Sequence, residues 1–173
     1  MNPLRHSLAT LALAGLLLAG CSQADGPASL SPAEIDRSTT CSLDGMLLAD
    51  YPGPKAQIHY ADQKEPVFFC DTMELFSTLL AGEQARKVTA VYVQDMGQAD
   101  WDEPQGHWID AKAAFYVLGS DRHGSMGPTL ASFAQEDAAK AFIAKHGGRL
   151  LRFAEVTPEM VDLSGGALHD SRM

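Results

Sequence analysis

The sequence predicts an α+β fold of two tandem ββαβ units that are related by an internal repeat. Short strand-like segments and one helical stretch occur in the same order in both halves of the chain. Phe69 corresponds to Phe133 and Val88 to Arg152, and both pairs are offset by 64 positions. With 173 residues and 46% apolar content, the chain is long enough to bury a substantial core.

The N-terminus is predicted to be a bacterial lipoprotein signal peptide over residues 1–20. The apolar run from Leu8 to Leu18 is too short for a comfortable membrane span, and Leu18-Ala-Gly-Cys21 closes it in the pattern of a lipobox. Cleavage leaves Cys21 as a lipidated first residue, which anchors the chain in the periplasm. Ser22 after it favours the outer membrane. Residues 21–38, rich in Ser, Ala, Pro and Gly, are predicted to be a flexible tether.

The first ββαβ unit is predicted over residues 39–98. Asp71-Thr-Met-Glu74 has the spacing of a capping box, and apolar side chains at helical spacing follow it toward Gly82. A helix is therefore expected to begin near Asp71. The predicted strands of this unit are Ala56–Tyr60, Pro66–Cys70 and Lys87–Val93.

The second unit is predicted over residues 111–163, after a polar connecting loop at 99–110. Ser132 and Gln135 are placed to cap a helix that runs to His146 and stops at the Gly147-Gly148 pair. Its predicted strands are Ala113–Leu118, Thr129–Phe133 and Arg149–Val156, and a disordered tail is expected at 164–173.

Charge and motif content restrict the classes of function. The chain has 22 acidic and 13 basic side chains, a formal net charge of −9, which argues against a nucleic-acid partner. The motifs Gly-x-Ser-x-Gly, Gly-x-Gly-x-x-Gly and His-Glu-x-x-His are absent from the sequence. We therefore expect a binding protein and not an enzyme.

The segment Cys41-Ser-Leu-Asp-Gly-Met46 concentrates soft metal-binding atoms beside a turn. Cys41 offers a thiolate and Met46 a thioether, and Gly45 relaxes the backbone so that the two can converge. This pair suits Cu(I) better than Zn(II), because soft sulfur prefers a soft ion and no second metal-binding motif accompanies it. Spacing alone favours the simpler interpretation, a buried cysteine and a core methionine.

Four blocks of the sequence form a recognisable set: Cys41 through Pro54, Phe68-Phe69-Cys70, Val93-Gln-Asp-Met96, and Gly124-Ser-Met-Gly127-Pro-Thr-Leu-Ala-Ser-Phe133. Together they resemble the NosL family, the copper-binding accessory lipoproteins of nitrous oxide reductase maturation. One departure concerns Asp44, which stands where many members of that family carry a second cysteine, so this motif by itself offers one thiolate.

The resemblance implies a periplasmic Cu(I) chaperone that delivers copper for assembly of nitrous oxide reductase. Its implied partners are apo-nitrous oxide reductase and the ABC transporter complex associated with it. Met126, in a glycine-flanked turn, matches a methionine of the family motif, so the implied Cu(I) ligands are Cys41, Met46 and Met126. Four further side chains remain candidates for completing the site: Asp44, Cys70, Met96 and His123.

Three other interpretations stay open at this stage. Cys41 and Cys70 are the two cysteines that remain once Cys21 carries lipid, and outside the cytoplasm such a pair often forms a disulfide. The same cysteines with Asp44 supply the residue types of an organomercurial-lyase-like enzyme or a thiol oxidoreductase. A structural lipoprotein that binds no metal is the third alternative.

Overall fold

The computed structural model describes residues 30–82 and 85–163. The predicted signal peptide, the lipidation site at Cys21 and the predicted tail at 164–173 lie outside the described residues. Short 3-10 helices occur at Leu48–Asp50, Phe153–Glu155 and Pro158–Val161. The main elements are β1 (Ala56–Tyr60), β2 (Val67–Phe69), α1 (Thr72–Leu80), β3 (Val88–Gln94), β4 (Trp108–Asp110), β5 (Phe115–Gly124), β6 (Gly127–Phe133), α2 (Glu136–His146) and β7 (Arg149–Arg152).

The strands form two antiparallel sheets, with strand order β2-β1-β3-β4 in the first and β6-β5-β7 in the second. This confirms a mixed α and β fold. In each half the first strand lies between the second and the third. The 64-residue offset holds for the ends of β2 and β6 and for the starts of the two helices, but β7 starts three positions earlier than the offset from β3 requires. The relation of the halves by an internal repeat stays a prediction.

Several element boundaries differ from those expected. The segment 99–110 contains β4, which pairs with β3 and extends the first sheet. The final strand ends at Arg152, because the Glu155 carboxylate accepts the Arg152 backbone N–H at 2.6 Å and a 3-10 helix begins at Phe153. β5 is longer than predicted, since its pairing with β6 resumes at His123 after an irregularity. Local periodicity does not carry this pairing information.

The predicted cap of α1 is confirmed, whereas Ser132 does not cap α2. Asp71 is the N-cap of α1 and its side chain accepts the backbone N–H of Met73. Ser132 lies within β6, where its hydroxyl donates to the carbonyl of Gln94 at 2.6 Å. The N-cap of α2 is Gln135, which makes no side-chain capping bond. Although serine is a favourable helix cap, Ser132 pairs as part of strand β6 instead.

One hydrophobic cluster is shared by both sheets. Ile58 and Val91 from the first sheet belong to the same buried cluster as Leu130 and Leu151 from the second. Phe76 of α1 joins the halves, because its ring packs edge-on against Tyr116 of β5 at 5.0 Å between centroids and is tilted against Phe153 at 5.1 Å. The two predicted units therefore pack onto a common core.

Residues 30–38, predicted to belong to the tether, lie against the first sheet. The Gln57 side chain exchanges two hydrogen bonds with the backbone of Ala33, at 2.8 and 3.0 Å, and the Tyr92 hydroxyl donates to the carbonyl of Leu30. This part of the segment thus differs from the expected free tether. None of the helices in the two described ranges combines the length and apolar character needed to cross a membrane.

We expect Phe76→Ala to lower the free energy of unfolding by about 3–5 kcal/mol, because it leaves a cavity in the shared core. Urea unfolding followed by circular dichroism measures the change. Leu163→Ala, at a side chain that is 40% exposed, serves as the control and is expected to change stability by less than about 1 kcal/mol. Equal effects of the two substitutions would contradict a core shared through Phe76.

Candidate metal centre

The loop that presents Cys41 is closed by its own backbone. The Cys41 N–H donates to the carbonyl of Met46 at 2.8 Å, and the Gly45 N–H donates to the carbonyl of Cys41 at 3.0 Å. Gly45 has φ of +76°, a backbone conformation that glycine adopts without strain. Asp44 tightens the turn by accepting the Met46 N–H at 3.0 Å. The convergence of Cys41 and Met46 therefore follows from local geometry.

The same loop lies along β2 and meets the start of α1. The Ser42 N–H donates to the carbonyl of Phe68 at 2.9 Å, which places Cys41 beside Cys70. Cys70 follows β2 directly, and Glu74 lies one helical turn after it. Cys41 Sγ and Glu74 Oε2 share a hydrogen bond of 3.1 Å, and Cys70 Sγ lies 3.3 Å from the same oxygen.

Four side chains could hold a metal ion here. One potential ligand atom from each of Cys41, Asp44, Cys70 and Glu74 lies within 4.8 Å of the others. Both cysteines are free thiols in the structure and both are buried. Glu74 is only 3% exposed, whereas Asp44 is exposed. The cluster is thus open to solvent on the side of Asp44 and closed on the side of α1.

The second half of the chain contributes to this site through the turn between β5 and β6. Cys70 Sγ lies 3.1 Å from Ser125 Oγ in that turn. The turn also packs closely on Gly53, where an added Cβ would lie 2.8 Å from the Cα of Gly124. Met126 is the next residue after Ser125 and is 56% exposed. The fold therefore brings the turn that carries Met126 to the buried thiols.

The remaining sequence candidates have different positions. Met46 packs against the buried cluster that contains Cys41 and Cys70. Met96 packs instead against the cluster under α2. His123 is exposed on β5, and its carbonyl accepts the indole N–H of Trp101 at 3.0 Å. His123 does not belong to the group of four possible ligands.

The two thiols have unequal acidity. The hydrogen bond with Cys70 lowers the pKa of Cys41 to about 6, although burial opposes the shift. The same interaction and burial raise the pKa of Cys70. At neutral pH Cys41 is therefore the thiolate and Cys70 the thiol.

The carboxyl group of Glu74 is mainly neutral at pH 7. Burial is the main cause that raises its pKa to about 8, and the hydrogen bond with Cys41 is the next largest.

A buried cation, Lys55, and a second buried carboxyl group, Asp71, adjoin Cys70. The Lys55 ammonium donates to the carbonyls of Pro52 and Cys70, at 2.9 and 3.1 Å. Burial lowers the pKa of Lys55 to about 8 and raises that of Asp71 to about 7. Asp71 Oδ1 accepts the Thr129 hydroxyl at 2.7 Å, while its Oδ2 has no partner among the described atoms.

The sequence analysis does not identify Glu74 as a site residue and gives Cys70 only as a further candidate. Glu74 has the spacing of a capping-box residue, and its position four residues after Cys70, across a helix start, is the sequence signal that points to the cluster. The donor set combines two sulfurs with two carboxylates. Sulfur ligands favour Cu(I), and a mixed sulfur and oxygen set also suits Zn(II), so the four side chains could hold either ion.

Comparison with known proteins adds information that the geometry does not contain. The NosL family model matches residues 32–161. The chain is 39% identical to the copper-binding lipoprotein NosL of Stutzerimonas stutzeri, over 98% of this chain and 93% of the relative. It is also 39% identical to the protein of the same name from Achromobacter cycloclastes, over 91% of this chain and 82% of that one.

A solved structure agrees with these relatives. The crystal structure of the copper chaperone NosL from Shewanella denitrificans is similar to this chain with a TM-score of 0.72 and 40% sequence identity. The similarity covers 75% of this chain and 97% of the other. The architecture of two sheets and two helices is thus shared with a protein of known structure.

The acidity of Glu74 predicts how the stability of the metal-free protein changes with pH. An unfolded glutamate loses its proton near pH 4.5, whereas folded Glu74 keeps it up to about pH 8. The unfolded state is therefore favoured progressively as the pH rises through this window. Glu74→Gln should raise the free energy of unfolding at pH 7 and make the decline with pH smaller.

Urea unfolding at several pH values, with thiols reduced and metals chelated, measures this difference. Glu65→Gln makes the same chemical change at an exposed position and should leave the pH dependence unaltered. Parallel pH profiles for the wild type and Glu74→Gln would contradict a buried, protonated Glu74.

Proposed function

This chain belongs to the NosL family, and from that premise we propose that it is a periplasmic carrier that binds Cu(I) at Cys41 and Cys70. The observation that carries the proposal is the convergence of these two buried sulfurs, with the Met46 side chain packed against the same cluster. Thiolate and thioether ligands suit the soft Cu(I) ion. The names of the relatives, copper-binding lipoprotein and copper chaperone, support copper as the cargo.

The proposed ligand set keeps the three residues expected from the sequence and adds Cys70. Cys41 is the first ligand, because its lowered pKa makes it a thiolate at neutral pH. Cys70 and Met46 complete the inner site, and Met126 reaches the ion from the exposed turn. Asp44 is proposed as a weaker oxygen ligand or a nearby negative charge on the solvent side.

A carrier and not an enzyme is the better match to this arrangement. A carrier has to release its ion to a partner whose ligands attack it, so a small number of exchangeable ligands near the surface is required. Met126 and Asp44 are exposed and are suited to early exchange. We propose apo-nitrous oxide reductase and its associated ABC transporter complex as the partners, on the basis of the family resemblance.

Membrane attachment is the other part of the proposal. The relatives are named lipoproteins, and Cys21 closes a lipobox in this chain. We propose that the mature chain begins at a lipidated Cys21 and faces the periplasm, with Ser22 favouring the outer membrane.

Single substitutions at the proposed ligands test the copper site. Cys41→Ser should weaken Cu(I) binding by about 100-fold or more, equivalent to about 2.8 kcal/mol, because it removes the anionic sulfur. Cys70→Ser should weaken it less. Met46→Leu and Met126→Leu remove sulfur at nearly constant volume, so each should weaken binding without loss of fold. Asp44→Asn should have a smaller effect than either of them.

The measurement is competition of the full chain against a chromophoric Cu(I) chelator, under anaerobic and reducing conditions. Met96→Leu is the matched control, since Met96 packs under α2 and should leave Cu(I) affinity unchanged. Wild-type affinity in Cys41→Ser would overturn the proposed site. A disulfide between Cys41 and Cys70 in freshly isolated protein would instead favour the structural interpretation.

Replacement of Cys21 tests the anchor. Cys21→Ser removes the acceptor of the lipid, so the variant should incorporate no labelled fatty acid and should remain uncleaved or leave the membrane fraction. Fractionation and palmitate labelling in the bacterial host measure both effects. Retention of label by Cys21→Ser would rule out this residue as the lipidation site.

A further inference from the structure

Lys55 is a fully buried cation that contacts the backbone of Cys70. Its side chain has 0% exposure, although lysine is rarely buried completely without an ionic partner. Two backbone carbonyls hold the ammonium, that of Pro52 at 2.9 Å and that of Cys70 at 3.1 Å. The second of these bonds ties the charge to the backbone of a proposed copper ligand.

The charge of Lys55 is not cancelled by a contact ion pair. None of the ion pairs formed within residues 30–82 and 85–163 includes it. Burial lowers the pKa of Lys55, and the charges of nearby acidic groups, Asp71 first and the Cys41 thiolate among them, oppose this shift. Charges interact more strongly in a buried environment than in water, so a metal ion at the thiols experiences this ammonium.

We infer that Lys55 makes the site selective for a monovalent over a divalent cation. For any one set of ligands, the Zn(II) complex carries one more positive charge than the Cu(I) complex. The buried ammonium therefore disfavours Zn(II) relative to Cu(I) by the repulsion of one additional unit charge. This matters because the two sulfurs and two carboxylates would otherwise accommodate Zn(II) as well. The inference rests on the proposed function, since it assigns the origin of selectivity at the same site.

The test compares variants that separate the charge of Lys55 from its hydrogen bonds. Lys55→Gln removes the charge but keeps an N–H donor for the carbonyls, and Lys55→Arg keeps both. Lys112→Gln makes the same chemical change at an exposed position. For each full chain, Cu(I) and Zn(II) affinities are measured by chelator competition at pH 7 with thiols reduced.

We expect Lys55→Gln to lower the ratio of Cu(I) to Zn(II) affinity by about tenfold or more, given the size of such repulsions near a buried charge. Lys55→Arg and Lys112→Gln should keep the ratio close to that of the wild type. The ratio distinguishes selectivity from structural damage, because a distorted site loses affinity for both ions. A wild-type ratio in Lys55→Gln would overturn the inference.

A second variant covers the case in which Lys55→Gln does not fold. Lys55→Met removes the charge with an apolar chain of similar length, and the same fall in the ratio is expected. If neither neutral variant keeps the native circular dichroism spectrum, Lys55 is a structural residue and the inference is overturned. Failure of the wild type to bind Cu(I) would refute the proposed function itself, which is a separate outcome.

Discussion

The site depends on the hydrogen bonds of one carboxyl group, that of Asp71, which is buried where the two halves of the chain meet. Its Oδ1 accepts the Met73 N–H at the start of α1 and the Thr129 hydroxyl from β6, at 2.8 and 2.7 Å. Thr72 adds a hydrogen bond to the carbonyl of Leu130 at 2.6 Å. These bonds fix the first turn of α1 against the second sheet, and Cys70 precedes that turn while Glu74 belongs to it. Gly124 has no side chain here because a Cβ would lie 1.9 Å from Asp71 Oδ2.

The site concentrates ionisable groups that are costly to bury. Burial raises the pKa of Glu74 and of Asp71 and lowers that of Lys55, so each of these groups resists its charged form. A hydrophobic core of the same volume would stabilise the fold more effectively. Proteins keep such unfavourable arrangements mainly where function requires them. The free-energy cost of burying these ionisable groups is therefore consistent with a binding site and argues against a purely structural role for the cysteines.

The two faces of the site differ in accessibility, which suits a protein that both holds and releases an ion. Cys41 and Cys70 are buried, whereas Asp44 and Met126 are exposed. Met126 lies near the thiols because the turn that carries it, between β5 and β6, contacts Cys70 through Ser125. In the proposed site, the first half of the chain therefore retains the ion, and the second half supplies Met126 as the proposed exchangeable ligand.

Local features of the sequence determined most of the helices and strands and part of the site. The alternation over residues 56–60, the cap at Asp71 and the turn at Gly45 each depend on residues a few positions apart, so the sequence alone predicts them. It also predicts the family. The tertiary structure alone decided that Cys70 and Glu74 join Cys41 and that Lys55 lies beneath them, because these side chains come from separate elements. The spacing of residues along the chain determines local hydrogen bonds and which side chains share one face of a helix or strand. The convergence of distant side chains depends instead on strand pairing and on packing between the sheets.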